Sequence, residues 1–321
     1  GSGHPNYWNP NGVMKSDAVT EDGVRIETSP ETMAKYFLDE YDISYAVLNT
    51  AEGMEHCLSP EAHYSAAALS AINTHFVEDW LPVDDRYLAA ITIAVSNIEL
   101  AVKEIHRLGD HPRVVQILMA SASPFPLGHT YFHPIYEAAA AHNLPIAIHP
   151  GLEGVGIAGA PTTAGFVGNY LQWHTLLATS YMTQLVSLVC EGVFEKFPTL
   201  KFIFVEGGVA WLPSLMWRLD KNWMALRSTT PWLTRLPSEI IQDHIYLTTQ
   251  PIEEPDDHRH FHQVLDMFDA EKMLLFSSDY PHWDGDTPDF AMRQLPPAMR
   301  NAVLYENALK VFNLQEPSYA S

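Results

Sequence analysis

Three apolar segments of the sequence each end near an ionisable residue of a type that binds metal ions or transfers protons. LPIAIHP carries His149, LKFIFVEGG carries Glu206, and MLLFSSD carries Asp279. Burying such groups without a partner is costly, so three of them at one place need a cation or a shared proton. Imidazole and carboxylate together suit zinc, iron or manganese. The pattern therefore indicates a divalent-metal site or an acid–base site.

Each of these residues also has an ordinary structural interpretation. A histidine after a strand, such as His149, is more often a hydrogen-bonded loop residue than a metal ligand. Glu206 would suit the N-terminus of a following helix, where carboxylates are favoured. Asp279 would suit a turn before Pro281. Their common position, at the ends of three apolar segments, favours the site over these separate interpretations.

Two further histidines are candidates for proton transfer. His282 follows Asp279 by three residues, and His174 follows the glycine-rich stretch GLEGVGIAGAPTTAG. Long loops in compact domains often cover or build binding sites, so we expect His174 to lie over the mouth of the site. A surface or interface position is the alternative. Three tryptophans are expected to line a substrate pocket, although they equally suit the core or an interface: Trp173, Trp211 and Trp283.

The elements that must position these residues alternate between strand and helix. Seven runs rich in Ile, Val, Leu and Phe lack polar alternation, which is typical of strands buried on both faces. The predicted strands are 43–50, 87–95, 114–120, 144–150, 200–208, 244–250 and 273–279. The predicted helices are 61–81, 97–108, 131–142, 175–196, 210–227, 257–269 and 297–312. Strand–helix alternation predicts a parallel sheet.

A (β/α)8 TIM barrel fits this alternation, but it needs eight strands. A doubly wound sheet is the alternative, although no glycine-rich phosphate-binding motif follows any strand. The sequence begins Gly1-Ser2-Gly3 and its first methionine is Met14. We therefore expect strand one to lie upstream of the sequence given. We predict a single domain over 1–321, with an N-terminal arm (1–40) and a C-terminal tail (314–321).

Composition excludes several classes of partner. The formal net charge is −21, which argues against nucleic acid or an anionic membrane surface. No apolar run is long enough to span a membrane. The two cysteines, Cys57 and Cys190, cannot build a disulfide framework. We expect a cytoplasmic enzyme that acts on a small molecule and forms a homo-oligomer, or a hetero-oligomer with a homologue.

Several longer motifs resemble the amidohydrolase-related family. They are IAIHPG, EGVFEKFPTLKFIFVEGGVAWLP, LLFSSDYPHWD and NALKVFNL, and the resemblance covers about residues 40–314. This family contains metal-dependent TIM-barrel enzymes, including aminocarboxymuconate semialdehyde decarboxylase. The resemblance implies that His149 and Asp279 are metal ligands, joined by an H-x-H pair on strand one that has no match here.

One position departs from the family pattern. Many decarboxylases of this family carry a catalytic histidine where this sequence has Glu206 before Gly207-Gly208. A glutamate there suits a further metal ligand. Together with His174, the site then has more donors than one zinc needs, so one or two ions are expected.

The leading functional hypothesis is a metal-dependent hydrolase in which a metal-activated water attacks a small organic acid, amide or ester. Asp279 would bind metal and accept a proton, while His282 or His174 would orient substrate or move protons. Non-oxidative decarboxylation, oxygenase-type chemistry at non-haem iron, and a non-catalytic subunit are the alternatives. Glu206 argues against decarboxylation.

Overall fold

The computed structural model describes residues 7–10 and 12–317. Seven parallel strands form one sheet in sequence order, so every strand pairs with the strand that precedes or follows it in the chain. The strands are β1 (Ala46–Leu48), β2 (Tyr87–Thr92), β3 (Val114–Ala120), β4 (Ile146–His149), β5 (Phe202–Phe204), β6 (Ile245–Thr248) and β7 (Leu274–Leu275). This order and the intervening helices confirm the predicted TIM-barrel α/β fold.

All seven predicted strands are present, and six of them are shorter than predicted. Every residue of β2 and β3 is buried, as expected for strands covered on both faces. The predicted strands included residues at their ends that, in the structure, leave the sheet and form loops. Within the described residues, β1 pairs only with β2 and β7 pairs only with β6.

The helices surround the sheet and connect its strands. Their apolar faces follow the helical repeat: in the helix from Ile98 to Leu108, the residues Ala101, Ile105 and Leu108 are buried. The α-helices are α1 (Pro30–Met33), α2 (Ala51–Met54), α3 (Ala62–His75), α4 (Ile98–Leu108), α5 (His133–Ala141), α6 (Tyr170–Thr175), α7 (Leu177–Cys190), α8 (Val193–Lys196), α9 (Leu212–Leu226), α10 (Pro237–His244), α11 (His258–Leu265), α12 (Ala270–Met273), α13 (Pro288–Gln294) and α14 (Asn307–Val311).

Short 3₁₀ and π segments extend or replace the ends of several helices. The 3₁₀ segments are Ile26–Thr28, Thr130–Phe132, Arg227–Thr229 and Pro297–Met299, and the π segments are Ala34–Leu38, Phe76–Trp80 and Ala302–Glu306. The predicted helix 297–312 is therefore wrong as one element, because it divides into three. The sequence analysis missed α1, α2, α10, α12 and α13, which are too short to show several helical repeats.

The N-terminal arm is folded against the barrel over most of its described length. Ile26, Phe37 and Leu38 are buried in the main core. The Phe37 ring stacks on Tyr280 with 4.2 Å between ring centroids. The predicted arm (1–40) therefore packs onto the barrel through scattered apolar residues, contacts that its sequence did not indicate. Residues 1–6 and 318–321 lie outside the described residues.

The first part of the arm also contacts the loop that follows β7. Lys15 N donates to Pro281 O at 2.8 Å, and Trp283 N donates to Val13 O at 2.8 Å. The loop that carries His282 is thus held between the barrel and the arm. None of the described helices combines the length and apolarity that crossing a bilayer requires.

Candidate metal centre

The carboxyl ends of β4, β5 and β7 bring three sequence-predicted ligands together. His149 is the last residue of β4, whereas Glu206 comes shortly after β5, which ends at Phe204, and Asp279 lies in the segment after β7, which ends at Leu275. One possible ligand atom from each of the three lies within 4.8 Å of the other two. His149 Nε2 is 3.0 Å from Glu206 Oε2. The parallel sheet therefore assembles one imidazole and two carboxylates at the end where TIM barrels carry their active sites.

The two carboxylates leave their strands through unusual backbone conformations. Glu206 has φ 63° and Asp279 has φ 51°, both in the left-handed region that side-chain-bearing residues rarely adopt. Such conformations cost about 1 kcal/mol or more and cluster at functional sites. Thr248 of β6 holds the backbone turn at Glu206, because its Oγ1 accepts a hydrogen bond from Glu206 N at 3.0 Å. The backbone strain at both residues is evidence that this rim is functional.

A hydrogen bond fixes the orientation of the His149 ring. Its Nδ1 donates to the carbonyl oxygen of Pro150 at 2.8 Å. Because Nδ1 carries a proton, Nε2 is the nitrogen that faces Glu206, where it bears a second proton when no cation is bound and would give its lone pair to a cation. This arrangement is the usual one for histidines that bind metals.

A second group of side chains shares Glu206. His174 lies in α6, whose N-terminus is capped by Asn169 accepting from Gln172 N at 3.0 Å. His174 Nε2 is 3.5 Å from Glu206 Oε1 and 3.3 Å from Asp284 Oδ2. Ligand atoms of His174, Glu206 and Asp284 also lie within 4.8 Å of one another. The structure thus brings His174 to the mouth of the site.

The donor atoms fit a divalent cation. With bonds of about 2.1 Å, neighbouring ligand atoms are about 3.0 Å apart in octahedral and about 3.4 Å apart in tetrahedral coordination. The separations between His149, His174, Glu206 and Asp284 run from 3.0 to 3.5 Å. His174 Nε2 and Asp284 Oδ2 are buried and have no hydrogen-bond partner among the described residues. Both the spacing and the unsatisfied atoms suit a bound ion.

Burial and neighbouring charges shift the pKa values of Glu206 and of the two histidines that face it. Burial opposes ionisation of Glu206, but His149 and His174 outweigh it and hold the pKa of Glu206 well below its usual range. Burial lowers the pKa of His149, and the charge of Glu206 more than reverses this effect. His174 is also desolvated, yet contacts with Asp284 and Glu206 raise its pKa to about 9. Without a metal, protons on these histidines balance the carboxylates.

Asp279 and His282 form an ion pair beside the first group. His282 Nδ1 donates to Asp279 Oδ2 at 2.8 Å. Burial and the charge of Glu206 raise the pKa of Asp279 to about 6. Burial disfavours the charged His282 ring, but Asp279 outweighs it and raises the pKa of His282 to about 9. The protonated His282 ring is therefore held against a candidate ligand in the metal-free protein.

The three predicted pocket tryptophans occupy different environments. Trp283 is 43 % exposed at the rim, with its ring centroid 5.4 Å from that of His174. Trp173 is the buried residue of α6, and its Nε1 donates to Glu153 Oε2 at 3.1 Å. Trp211 is buried in the main core, and its Nε1 donates to the Gly207 carbonyl oxygen at 3.0 Å. Trp283 is the one of the three whose ring lies beside His174 and faces solvent.

Sequence reasoning missed three residues of this region. Asp284 contributes a carboxylate to the second group, and Tyr170 stacks on His174 with 5.6 Å between ring centroids. Glu153 is buried and accepts from Ser121 Oγ at 2.7 Å. The sequence signal for Asp284 was its place in the segment PHWDGD, which follows the predicted strand 273–279. Glu153 was the first ionisable residue after the turn that follows His149.

Parallel α/β barrels with ionisable side chains at the carboxyl ends of their strands are typically enzymes. The chain belongs to the amidohydrolase family, whose sequence model matches residues 3–314. The predicted resemblance to this family is thereby confirmed. No curated protein sequence matches the chain significantly.

Solved structures share the fold at low sequence identity. An amidohydrolase from Mycobacterium avium subsp. paratuberculosis K-10 has a TM-score of 0.71 and 22% identity, with 88% of this chain and 74% of that chain covered. A 5-carboxyvanillate decarboxylase from Sphingomonas paucimobilis has a TM-score of 0.64 and 20% identity, with 88% and 82% covered. A dihydroxybenzoic acid decarboxylase from Polaromonas sp. JS666, with bound manganese and the inhibitor 2-nitroresorcinol, has a TM-score of 0.69 and 18% identity, with 95% of each chain covered.

Proposed function

We propose that this chain is a divalent-metal-dependent decarboxylase of a small organic acid. The observation that carries the proposal is the convergence of His149, Glu206 and Asp279, with ligand atoms within 4.8 Å of one another. The choice of reaction is supported by two structurally similar proteins that are named as decarboxylases of small aromatic acids. The exposed ring of Trp283 and the Tyr170 ring give the rim two aromatic surfaces that suit a planar substrate.

The glutamate at position 206 was the main argument against decarboxylation, because many family decarboxylases have a histidine there. The position of His174 answers this argument. A different element, α6, brings an imidazole within 3.5 Å of the Glu206 carboxylate. The rim therefore has, besides His149, a second imidazole next to position 206. It is supplied by α6 rather than by the residue after β5.

Each group has a role in this chemistry. His149, Glu206 and Asp279 would hold the cation, which when bound would neutralise substrate negative charge and polarise a substrate oxygen. Loss of carbon dioxide leaves an electron pair on carbon that must accept a proton. His282 can donate that proton, because its Nδ1 is hydrogen-bonded to Asp279 Oδ2 at 2.8 Å, a contact that favours the protonated ring. Asp279 would orient the ring through Nδ1, leaving Nε2 to face the substrate.

Hydrolysis is the second candidate, and one observation favours it. Without a cation, the pKa of Asp279 is raised to about 6, mainly by burial, so this carboxylate holds a proton more readily than an exposed aspartate and suits the role of accepting one from water. The cation would then serve to lower the pKa of that water. In this case the substrate is a small ester or amide.

Isotope incorporation separates the two reactions. The manganese-loaded protein is incubated with 5-carboxyvanillate, dihydroxybenzoates and a panel of small esters and amides, in D2O and in 18O-labelled water. Decarboxylation releases carbon dioxide and places one deuterium on the carbon that lost it. Hydrolysis places one 18O in the acid product.

His149→Ala is the matched control, because it removes a proposed ligand from the end of a buried strand. Its activity should fall by at least ~100-fold, since loss of even an outer partner of a metal ligand typically costs 10–100-fold. Carbon dioxide release that is unchanged in this variant, or in metal-free protein, would contradict the proposal. So would 18O incorporation without carbon dioxide release.

A further inference from the structure

A cavity of about 380 Å³ opens at the end of the barrel opposite to the candidate metal centre. Its lining includes Lys201 and His244, which immediately precede β5 and β6. Thr248, at the other end of β6, is about 13 Å away at about 3.3 Å per residue. Cavities that bind small molecules commonly measure about 300–1,000 Å³. We infer that this cavity binds a small organic anion, with its carboxylate or phosphate group held by Lys201 and Arg235.

Lys201 brings a positive charge to the cavity that no carboxylate pairs with. Its Nζ donates to the backbone oxygen of Asp243 at 2.5 Å, and within the described residues it forms no ion pair. Burial lowers the pKa of Lys201, Asp243 opposes this effect, and the charge of Arg235 adds to it. An anion in the cavity would offset both unfavourable effects, because a nearby opposite charge favours the ionised ammonium group.

The other charged groups of the lining leave Arg235 able to bind an anion. Arg235 forms an ion pair with Asp243. A guanidinium group has further N–H donors beyond one such contact, and their planar arrangement suits carboxylate and phosphate oxygens. Thr234 lines the cavity beside it and adds a hydroxyl group. The remaining carboxylate of the lining, Glu195, is exposed, so solvent screens its repulsion.

His244 gives the cavity a hydrogen-bond acceptor. Its Nδ1 donates to Leu200 O at 2.8 Å, which leaves Nε2 to accept from a ligand. Burial lowers the pKa of His244, and the charge of Lys201 acts in the same direction against the Leu200 contact, so the ring is neutral at neutral pH. Phe194 stacks on the ring with 4.5 Å between centroids and fixes its orientation. The chemistry of the lining therefore fits an oxyanion with a hydroxyl group close to it.

Three matched probes test the inference: glycerol 3-phosphate, glycerate and glycerol. They share a short hydroxylated carbon chain and differ in the anionic group. Isothermal titration calorimetry measures their binding to the full chain. We expect saturable binding of at least one of the two anions, with a Kd of about 1 mM or lower, and no binding of glycerol. The anion that binds more tightly identifies the oxyanion that the cavity takes.

Variants locate the bound anion. Lys201→Met and Arg235→Gln each remove one charge from the lining and lie in separate segments of the chain. Each should weaken binding by about tenfold or more, since contacts to charged groups are the strong ones. Lys196→Met is the matched control, because it removes an exposed ammonium group that contacts His133 and does not line the cavity. Lys196→Met and His149→Ala should both keep the affinity.

Hydrogen–deuterium exchange gives an independent measure of position. The bound anion should slow exchange in the segments 194–201 and 234–246, which carry the lining, and leave the segment 279–286 at the rim unchanged. Circular dichroism confirms that each variant is folded, and Arg235→Gln decides the matter if Lys201→Met is not.

Specific outcomes would overturn the anion site. They are the absence of saturable binding by both anions, and an affinity unchanged in both lining variants. The latter would mean that Lys201 serves only the carboxyl end of α10, where cations are favoured. An equal loss in Lys196→Met would show unspecific attraction, and a loss in His149→Ala would place the anion at the rim.

Failure of the proposed function is a separate result, because this cavity shares no residue with the candidate metal centre. Protein that binds the anion here but releases no carbon dioxide would contradict decarboxylation and leave this inference intact.

Discussion

At the scale of single residues, Glu206 has the largest effect on the candidate site, because it contacts both histidines. Replacing it with Gln keeps its shape and removes its charge. We expect Glu206→Gln to lower manganese affinity by more than ~100-fold, beyond the effect typical of residues that only support a ligand. Isothermal titration calorimetry measures this change. Glu253→Gln is the control, since Glu253 accepts from Val209 N and Ala210 N instead.

An affinity for manganese that is unchanged in Glu206→Gln would show that the ions, if bound, are held elsewhere. A loss of similar size in Glu253→Gln would show that any change of charge near this loop disturbs binding, and that Glu206 has no special role.

The raised pKa values of His174 and His282 predict how stability of the metal-free protein depends on pH. Burial opposes the charge on both rings, but their carboxylate partners raise both pKa values to about 9, against 6.5 for the free side chain. Protonated rings therefore stabilise the fold fully below about pH 6.5, and this stabilisation is lost as pH rises through 9. We therefore expect the Tm of chelator-treated protein to decrease as the pH is raised from about 6.5 to about 9.

The variants His174→Gln and His282→Gln should each flatten this decline, because each removes one titrating group. Differential scanning fluorimetry across the pH range provides the measurement. A Tm that stays constant from pH 6.5 to 9 in the metal-free natural sequence would contradict the assigned ion pairs.

Sequence reasoning located the candidate residues that lie at, or a few residues beyond, the carboxyl ends of strands. His149, Glu206 and Asp279 follow apolar segments whose parallel pairing fixes where their side chains meet. Asp284 could not be located in this way, because it lies in a loop whose path depends on contacts with the N-terminal arm and with Gln250. The placement of His174 required the orientation of α6, which no local pattern in the sequence specifies.

At the scale of elements, Glu153 connects α6 to the ends of two strands. Its carboxylate accepts from Trp173 Nε1 in α6, from Ser121 Oγ after β3, and from Gly151 N after β4. Glu153→Ala leaves these donors without their shared acceptor. We expect a loss of about 2–4 kcal/mol in the free energy of unfolding, because several buried donors become unsatisfied.

Urea denaturation followed by tryptophan fluorescence measures this loss. Glu137→Ala in α5 is the matched control, since Glu137 is exposed and should change stability by less than ~0.5 kcal/mol. Equal stability of the two variants would show that the Glu153 network does not hold α6. His174 would then be positioned by its aromatic neighbours alone.

The sequence predicted long elements better than short ones for a physical reason. A helix such as α4 repeats its apolar face several times, so its period is visible in the sequence. The helices α2 and α12 have four residues each, and tertiary contacts rather than local preference determine them. The packing of the arm around Phe37 could not be predicted for the same reason, since its partner Tyr280 lies far away in the chain.

At the scale of the whole molecule, the net charge of −21 acts on ligands in opposite ways. It raises the local concentration of divalent cations and repels an anionic substrate. Salt screens both effects, with a Debye length of about 10 Å at 0.1 M. A bound cation at the rim would reverse the field locally, so that the organic acid proposed as substrate could enter despite the net charge.

Apolar side chains on the surface favour the predicted homo-oligomer. Trp217 and Met224 lie seven residues apart on one face of α9 and are 55% and 58% exposed, and Trp232 is 46% exposed. Aromatic and methionine side chains are enriched where subunits meet.

We expect light scattering to give a mass that is two or more times the 36.0 kDa of one chain. Trp217→Lys should shift the mass towards the monomer, while Asn222→Lys, at an exposed position on another face of the same helix, should not. A monomeric natural sequence would contradict the prediction, and an oligomer unaffected by Trp217→Lys would place the interface on another face.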